Sequence, residues 1–195
     1  MAAAVQLESV GPQLISAAES GDTSGVVAAL AHPLSEPNFA ALDGTALMIA
    51  ANIGYASVVE VLLGDERVDC NIVDKLSGST ALIYAAHDGH ISVVEMLLGD
   101  ERVDRNIVNK KDGCTALMLA AHQGHASVVE VLLGDEHVDR NIVDKKHGYT
   151  ALIIAAYNDH ASVVEVLLGD ERVDRNIVRK DGNTALMYAA TLGHA

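Results

Sequence analysis

Histidines and paired carboxylates recur along this 195-residue chain at regular spacings that could do chemistry. An evenly spaced row of histidines could bind metal ions or sense pH. Neighbouring carboxylates could hold a cation or act as a paired acid and base. The two rows are His90, His125, His160 and His194, and Asp65-Glu66, Asp100-Glu101, Asp135-Glu136 and Asp170-Glu171.

A second interpretation of the carboxylate row is that it is a solvated, partly self-neutralised edge. A basic side chain follows each acidic pair, namely Arg67, Arg102, His137 and Arg172 in turn. The sequence also contains no GxGxxG, GxxxxGK[ST], HExxH or GxSxG motif. We therefore predict a protein that is not an enzyme and that needs no metal or cofactor.

Composition excludes several classes of protein. Half of the residues are hydrophobic, which argues against a disordered acidic chain, and the net charge of −14 argues against nucleic acid or an acidic membrane surface as partner. Cys70 and Cys114 lie far apart without a CxxC pair, as in proteins of reducing compartments. No secretory signal or membrane-spanning stretch is evident, so we expect a soluble cytoplasmic protein, with the nucleus possible.

The rows arise because the whole chain repeats. Thr-Ala-Leu begins at Thr45, Thr80, Thr115, Thr150 and Thr184, at spacings of 35 residues and once 34. Each unit predicts two helices and a connector. In the first unit, Thr45 caps a helix that ends at Gly54, and Ser57 caps a second helix that ends at Gly64. The polar connector predicts a turn or short hairpin.

These units resemble the ankyrin-repeat family. The matching runs are Thr115–Ala121, Gly124-His125, Val128–Leu133 and Lys145–Thr150. The resemblance implies an all-α solenoid of stacked helix-turn-helix units with short β-hairpin connectors. It also implies that the turn histidines hold the backbone by hydrogen bonds, and stacked repeats would keep them too far apart to share a metal. Ala replaces the motif proline, and Met or Ile replaces the motif histidine, so packing of Met48, Ile83, Met118, Ile153 and Met187 must brace the repeats instead.

The repeat pattern sets the expected boundaries. We predict a flexible tail over residues 1–11 and a repeat domain over 12–195. Within that domain we expect a degenerate, polar capping repeat at 12–44, regular repeats at 45–79, 80–114, 115–149 and 150–183, and an incomplete repeat at 184–195. The second helix of the last regular repeat would then lack a complete neighbour. We interpret the chain as a fragment or truncated product on that ground.

Differences between the repeats fall at three slots of the first helix that share one helix face, and at the connector tips, such as Ser77/Ser79, Asp112/Cys114 and Asp181/Asn183. In ankyrin-like solenoids these regions line the concave groove that binds partners. Neutral drift on an exposed face would give the same pattern, but four of the five tyrosines fall in variable slots, and tyrosine is enriched in binding hot spots. The candidate groove residues are Ile49, Asn52, Ile53, Tyr84, His87, Asp88, Leu119, His122, Gln123, Tyr149, Ile154, Tyr157, Asn158, Tyr188, Thr191 and Leu192.

We therefore predict a non-enzymatic scaffold that binds another protein through the groove, with no role for nucleic acid, membrane or a small-molecule substrate. The charge of −14 favours a partner with a basic or mixed surface. The alternative is an N-terminal targeting or regulatory module of a larger enzyme, channel or signalling protein.

Overall fold

The computed structural model describes residues 10–41 and 44–193, which form two layers of short helices. The first helix of each unit stacks on the first helix of the next, and the second helices stack in the same way behind them. The inner layer is α1 (Gly11–Ser20), α3 (Ala46–Ile53), α5 (Ala81–Asp88), α7 (Ala116–Gln123), α9 (Ala151–Tyr157) and α11 (Ala185–Leu192). The outer layer is α2 (Thr23–Ala31), α4 (Ala56–Leu63), α6 (Ile91–Leu98), α8 (Ala126–Gly134) and α10 (Ala161–Gly169).

One connector contains a two-stranded antiparallel hairpin of β1 (Ala40–Ala41) and β2 (Gly44–Thr45). The later connectors make the same reversal with tight turns, such as the one closed by the Asp74 N–H donating to the Ser79 carbonyl at 3.0 Å. The predicted all-α architecture with short hairpin or turn connectors is confirmed.

Threonine starts each inner helix from α3 onward, as predicted. The Thr45 hydroxyl accepts a hydrogen bond from the Met48 N–H at 3.4 Å, and Thr150 accepts one from Ile153 at 3.2 Å. A residue with positive φ follows the helix, because the chain must reverse at once. In most repeats it is glycine, and Asp159 takes its place with a φ of 60°, as the sequence predicted.

The predicted cap of the outer helices is wrong. The helix α4 begins at Ala56 after Tyr55, one residue before the predicted cap Ser57, and no side chain caps it. The tight turn at Gly54 brings the Tyr55 carbonyl into position to accept the N–H groups of Val58 and Val59, so the chain is already helical at Ser57. Gly64 ends α4 as predicted, but with right-handed helical geometry (φ −66°).

The core runs unbroken along the stack, between the two layers. Most alanines and leucines of the inner helices α1 to α9 are buried, and valine and leucine of the outer helices meet them, whereas Leu186 of α11 is 78% exposed. Met48, Ile83, Met118 and Ile153 are buried at the predicted bracing position, whereas Met187 is 50% exposed. Small side chains in the inner helices let adjacent repeats approach closely, which explains why few aromatic residues are needed.

At the two ends the structure refines the expected boundaries. The helix α1 begins at Gly11, inside the predicted tail, and most of that tail (residues 1–9) lies outside the described residues. In α10, Val163 and Leu167 are fully buried despite the expected lack of a neighbour, while Leu168 is 39% exposed.

Candidate functional site

The inner helices and the connector turns enclose a cleft of about 800 Å³ that spans four successive repeats. We call residues 74–79, 109–114, 144–149 and 179–183 the turn tips. Ten predicted groove residues line the cleft: Asn52, Tyr84, His87, Asp88, Leu119, His122, Tyr149, Ile154, Tyr157 and Asn158. The structure thus brings together side chains that are 35 or more residues apart in the sequence.

The other predicted residues do not line this cleft. Ile49 and Ile53 belong to a smaller neighbouring pocket, which Asn52 and Tyr84 share. Gln123 is exposed at the rim. In α11, Thr191 donates to the Met187 carbonyl of its own helix, Leu192 is exposed, and Tyr188 packs against two other tyrosines.

Most of the other lining residues come from the turn tips. Variation between the repeats had already pointed to Ser77, Ser79, Asp112 and Cys114, but it did not point to Asn109, Lys111 or Asp144. Ser77, Ser79, Asn109, Lys111, Asp112, Cys114, Asp144 and His147 lie there, and Ile83 adds to the floor from α5.

A buried polar side chain organises each of the first three turn tips. The Asp74 carboxylate accepts the backbone N–H groups of Leu76, Ser77 and Ser79, and the hydroxyl groups of Ser77 and Tyr84. Burial alone would raise the pKa of Asp74, but these hydrogen bonds outweigh it and hold the pKa well below its usual range. Asn109 and Asp144 fill the same slot in the next two repeats and accept equivalent backbone bonds.

Three tyrosines from three successive repeats form an aromatic cluster at one end of the cleft. The ring centroids of Tyr149, Tyr157 and Tyr188 lie 5.8 to 6.2 Å apart, with edge-to-face or tilted geometry. The Arg179 guanidinium covers the Tyr149 ring at 4.8 Å and donates to the Tyr188 hydroxyl at 2.6 Å. Tyr157 remains 46% exposed at the surface of this cluster. The cluster therefore presents a fixed aromatic face to the cleft.

A polar chain that includes the cleft residues His87 and Asp88 crosses from one repeat to the next. The Gln123 amide donates to His87 Nε2 at 2.8 Å, and His87 Nδ1–H donates to the Asp88 carboxylate at 2.7 Å. These bonds fix the imidazole tautomer and orientation.

The turn histidines make the backbone hydrogen bonds that the resemblance implied. The Nε2–H groups of His90, His125 and His160 donate to the carbonyls of Asn52, His87 and His122 in the preceding repeat, at 2.9 to 3.0 Å. His194 lies outside the described residues. Among the residues that are described, no group of three or more His, Cys, Asp or Glu side chains could hold a metal ion.

The carboxylate row is only partly the solvated edge that we expected. We call residues 64–73, 99–108, 134–143 and 169–178 the back loops. Their glutamates (Glu66, Glu101, Glu136 and Glu171) are exposed, but the aspartates beside them are mostly buried and bonded. The Asp100 carboxylate accepts hydrogen bonds from Nε and Nη2 of Arg102, and those bonds hold the pKa of Asp100 below its usual range.

The asparagine of each of the first three back loops bonds to the next repeat, a feature that sequence reasoning missed. The Asn106 amide donates to the His137 carbonyl at 2.8 Å, and its Oδ1 accepts the Asp139 N–H at 2.8 Å. Asn38, Asn71 and Asn141 make the same pair of bonds to the repeats that follow them.

Neither cysteine is placed for nucleophilic chemistry. Cys70 and Cys114 are buried and free. Burial raises the pKa of Cys114 to about 12, with the nearby charges of Asp144 and Asp112 adding to the effect. A thiol in such surroundings stays protonated at neutral pH and is inert.

Comparison with known proteins identifies ankyrin repeats along this chain. A family model described as "Ankyrin repeats (3 copies)" matches residues 14–108, 47–141, 99–177 and 128–195. The crystal structure of EF0377, an ankyrin repeat protein, is similar with a TM-score of 0.84 and 27% identity, covering 94% of this chain and 93% of that one. A search of curated protein sequences finds no match. Within the described part of the chain, no helix combines the length and apolar character needed to cross a membrane.

Proposed function

Because this chain belongs to the ankyrin-repeat family, we propose that it is a non-enzymatic scaffold that binds a partner protein through its concave groove. Ankyrin repeats are generally protein–protein interaction modules, and the family is generally not catalytic. The groove of this proposal is the 800 Å³ cleft together with the turn tips that border it.

This proposal rests on one observation, the location in the structure of the positions at which the repeats differ. Ten of the sixteen candidate residues from the variable slots line one cleft, while the Ala, Val and Leu positions that hold the stack together hardly change. The cleft combines an apolar floor at Ile83 and Ile154 with a fixed polar chain at His87 and the half-exposed ring of Tyr157. Preformed surfaces of this kind lower the entropy cost of binding.

The charge of the chain bears on how a partner approaches. A net charge of −14 attracts a protein whose surface is basic or mixed, and it acts mainly on the rate of encounter. The free, buried thiols of Cys70 and Cys114 support a reducing compartment, and we propose the cytoplasm or nucleus as the site of binding.

The alternative role, a targeting or regulatory module within a larger protein, stays a prediction. It would use the same groove, and the gene sequence downstream of the Ala195 codon tests it directly.

A peptide selection tests the groove. Random 12-residue peptides displayed on phage would be selected on the immobilised chain, and the affinities of the selected peptides measured by fluorescence anisotropy. The variant Tyr157→Ala/His122→Ala changes two accessible cleft side chains, and we expect it to weaken binding at least tenfold, since hot-spot truncation costs about 2 kcal/mol or more.

The matched control is Ser127→Ala/Glu130→Ala, two exposed positions on the outer helix α8. We expect the control to bind within twofold of the unmodified chain. Equal affinity of all three proteins, each folded by circular dichroism, would place binding outside the groove and contradict the proposal.

A further inference from the structure

All six lysines of the chain lie at the turn tips, although the chain as a whole is strongly acidic. The turn tips hold seven of the 13 basic residues but only four of the 27 acidic ones. The other six basic residues are arginines of the back loops. The seven basic residues of the tips are Lys75, Lys110, Lys111, Lys145, Lys146, Arg179 and Lys180.

The turn tips stack against one another, so the lysines form one row. The Lys110 N–H donates to the Ser77 carbonyl of the preceding tip at 2.8 Å. At the other end, Arg179 Nε donates to the His147 carbonyl at 2.9 Å, and Lys180 Nζ lies 3.4 Å from the Lys145 carbonyl oxygen. The row is thus held by backbone contacts that do not use the other ammonium groups.

The acidic side chains nearby do not neutralise these lysines. The carboxylates of Asp74 and Asp144 are buried and bonded to the N–H groups of their own turns. Asp181 pairs with Arg179. Across residues 10–41 and 44–193, no carboxylate lies within 4.0 Å of a lysine ammonium group.

The arginines of the back loops differ in this respect. Arg67, Arg102 and Arg172 each pair with an aspartate two residues earlier, and Arg105 and Arg140 pair with an aspartate of the next repeat. Five of the six back-loop arginines therefore pair with carboxylates of the molecule, and only the exposed Arg175 does not. The six lysines of the turn tips are exposed and pair with no carboxylate of the described residues, so their charge is available to a partner.

The lysine row borders the cleft. Lys111 belongs to the cleft lining, next to Asp112 and across from His147 and Tyr149. A segment seated in the cleft would therefore pass along the lysines on one side and meet the tyrosine cluster at one end.

We propose, building on the proposed function, that the groove binds an extended, carboxylate-rich segment of a partner protein. Stacked helices lie about 8–10 Å apart, which sets the spacing of successive tips. Three residues of extended chain cover about 10 Å, so aspartate or glutamate at every third position meets successive tips. An aromatic or large apolar residue of the segment fills the cleft beside Tyr157.

The proposal also specifies how acidic and basic regions are arranged on the partner, whose surface we expect to be basic or mixed. The acidic segment lies on the lysine row, while basic parts of the partner face the acidic remainder of the scaffold. Local and long-range charge thus favour different regions of the same partner.

The test uses the peptides selected on the full chain and three further variants. The first carries Lys110→Gln, Lys111→Gln, Lys145→Gln and Lys146→Gln. The second carries Glu66→Gln, Glu101→Gln, Glu136→Gln and Glu171→Gln at exposed back-loop positions. The third combines all eight changes, which restores the net charge of the unmodified chain and separates local contacts from long-range attraction.

We expect the selected peptides to be rich in Asp and Glu at three-residue spacing. The lysine variant and the eightfold variant should both bind them about thirtyfold more weakly at 150 mM salt, from four exposed ion pairs. The glutamate variant should bind within twofold of the unmodified chain.

The outcomes separate this inference from the proposed function. Peptides that depend on Tyr157 and His122 but are not acidic, or that bind the lysine variant normally, would overturn the acidic segment and leave the groove standing. A recovery of affinity in the eightfold variant would also overturn it, because net charge alone would then explain the loss. Peptides that are indifferent to both the cleft and the lysines would overturn both proposals.

Discussion

The back loops and the turn tips are two edges of the same stack, and they treat polar side chains in opposite ways. In the back loops, asparagine, arginine and aspartate recur in nearly every copy, and most of them bond within the loop or to a neighbouring repeat. At the turn tips the side chains vary, and five lysines have ammonium groups that make no hydrogen bond or ion pair to the described residues.

The difference shows what constrains a repeat. A side chain that must satisfy a carbonyl in the neighbouring repeat cannot change in one copy without leaving a polar group unpaired. The turn tips are held by backbone bonds and by one buried carboxylate or amide, so their remaining side chains can differ. Changes at the back loops should therefore reduce stability, and changes at the turn tips should alter binding.

The largest stability effect is expected at Arg140. Its side chain is only 4% exposed, pairs with Asp170 at 3.2 Å and donates to several carbonyls, including Leu133 at 2.7 Å and Val138. Arg140→Ala should lower the free energy of unfolding by about 3 kcal/mol, because buried acceptors lose their donor. Urea denaturation would measure this loss of unfolding free energy.

Arg175→Ala is the matched control, since Arg175 fills the same slot in the last repeat but is exposed. Its substitution should cost less than about 1 kcal/mol in the free energy of unfolding. Equal losses at the two positions would contradict the distinction.

The asparagine of the back loops comes next. Asn106→Ala removes two hydrogen bonds to the following repeat and should cost about 2 kcal/mol in the free energy of unfolding. Asn176 has the same place in its repeat, but its side chain makes no hydrogen bond to any described residue, so Asn176→Ala should be neutral within about 0.5 kcal/mol. Thermal unfolding followed by circular dichroism would compare the two. A neutral Asn106→Ala would show that the inter-repeat bonds do not stabilise the stack.

Acid should weaken the back loops through their aspartates. The pKa of Asp100 is lowered from its usual range because Arg102 donates to the carboxylate, so the folded chain releases that proton more readily than the unfolded one. Its contribution is complete above about pH 4 and is lost as the pH falls further. Asp100→Asn should cost about 1 kcal/mol at pH 7 and flatten the decline in unfolding free energy below pH 4. An unchanged acid slope in this variant would contradict the assignment.

The smallest stability effect is expected at the turn tips. The fourfold lysine-to-glutamine variant should keep the free energy of unfolding within about 0.5 kcal/mol, since exposed, unpaired side chains contribute little. Its loss of peptide binding should then have no counterpart in urea denaturation. A loss of 2 kcal/mol or more would mean that the lysines hold the tips together.

Much of the architecture could be predicted because it depends on local chemistry repeated many times. Threonine caps, helix-ending glycines and buried alanine faces recur at a fixed period, and Asp159 could be recognised as a substitute for a turn glycine. The cap at Ser57 was wrong because the tight turn before it supplies backbone acceptors, a competition that the residue type alone does not reveal.

The candidate site could be predicted in part. Comparing the repeats found ten of the cleft residues, since positions on one helix face vary together. It did not reveal that Tyr149, Tyr157 and Tyr188 contact one another beneath Arg179, or that Asp74 and Asp144 are buried by their own turns while the lysines beside them stay exposed.

The amino-acid sequence by itself determined the repeat, the helix pairs and the family, because period, caps and small apolar side chains act within one repeat unit. Only the tertiary structure decided which charged side chains pair within the molecule and which stay exposed and unpaired. That outcome depends on contacts between residues about 30 to 40 positions apart, and stacking creates those contacts. The net charge of −14 therefore describes the whole chain, while the stacked turn tips present a row of lysines.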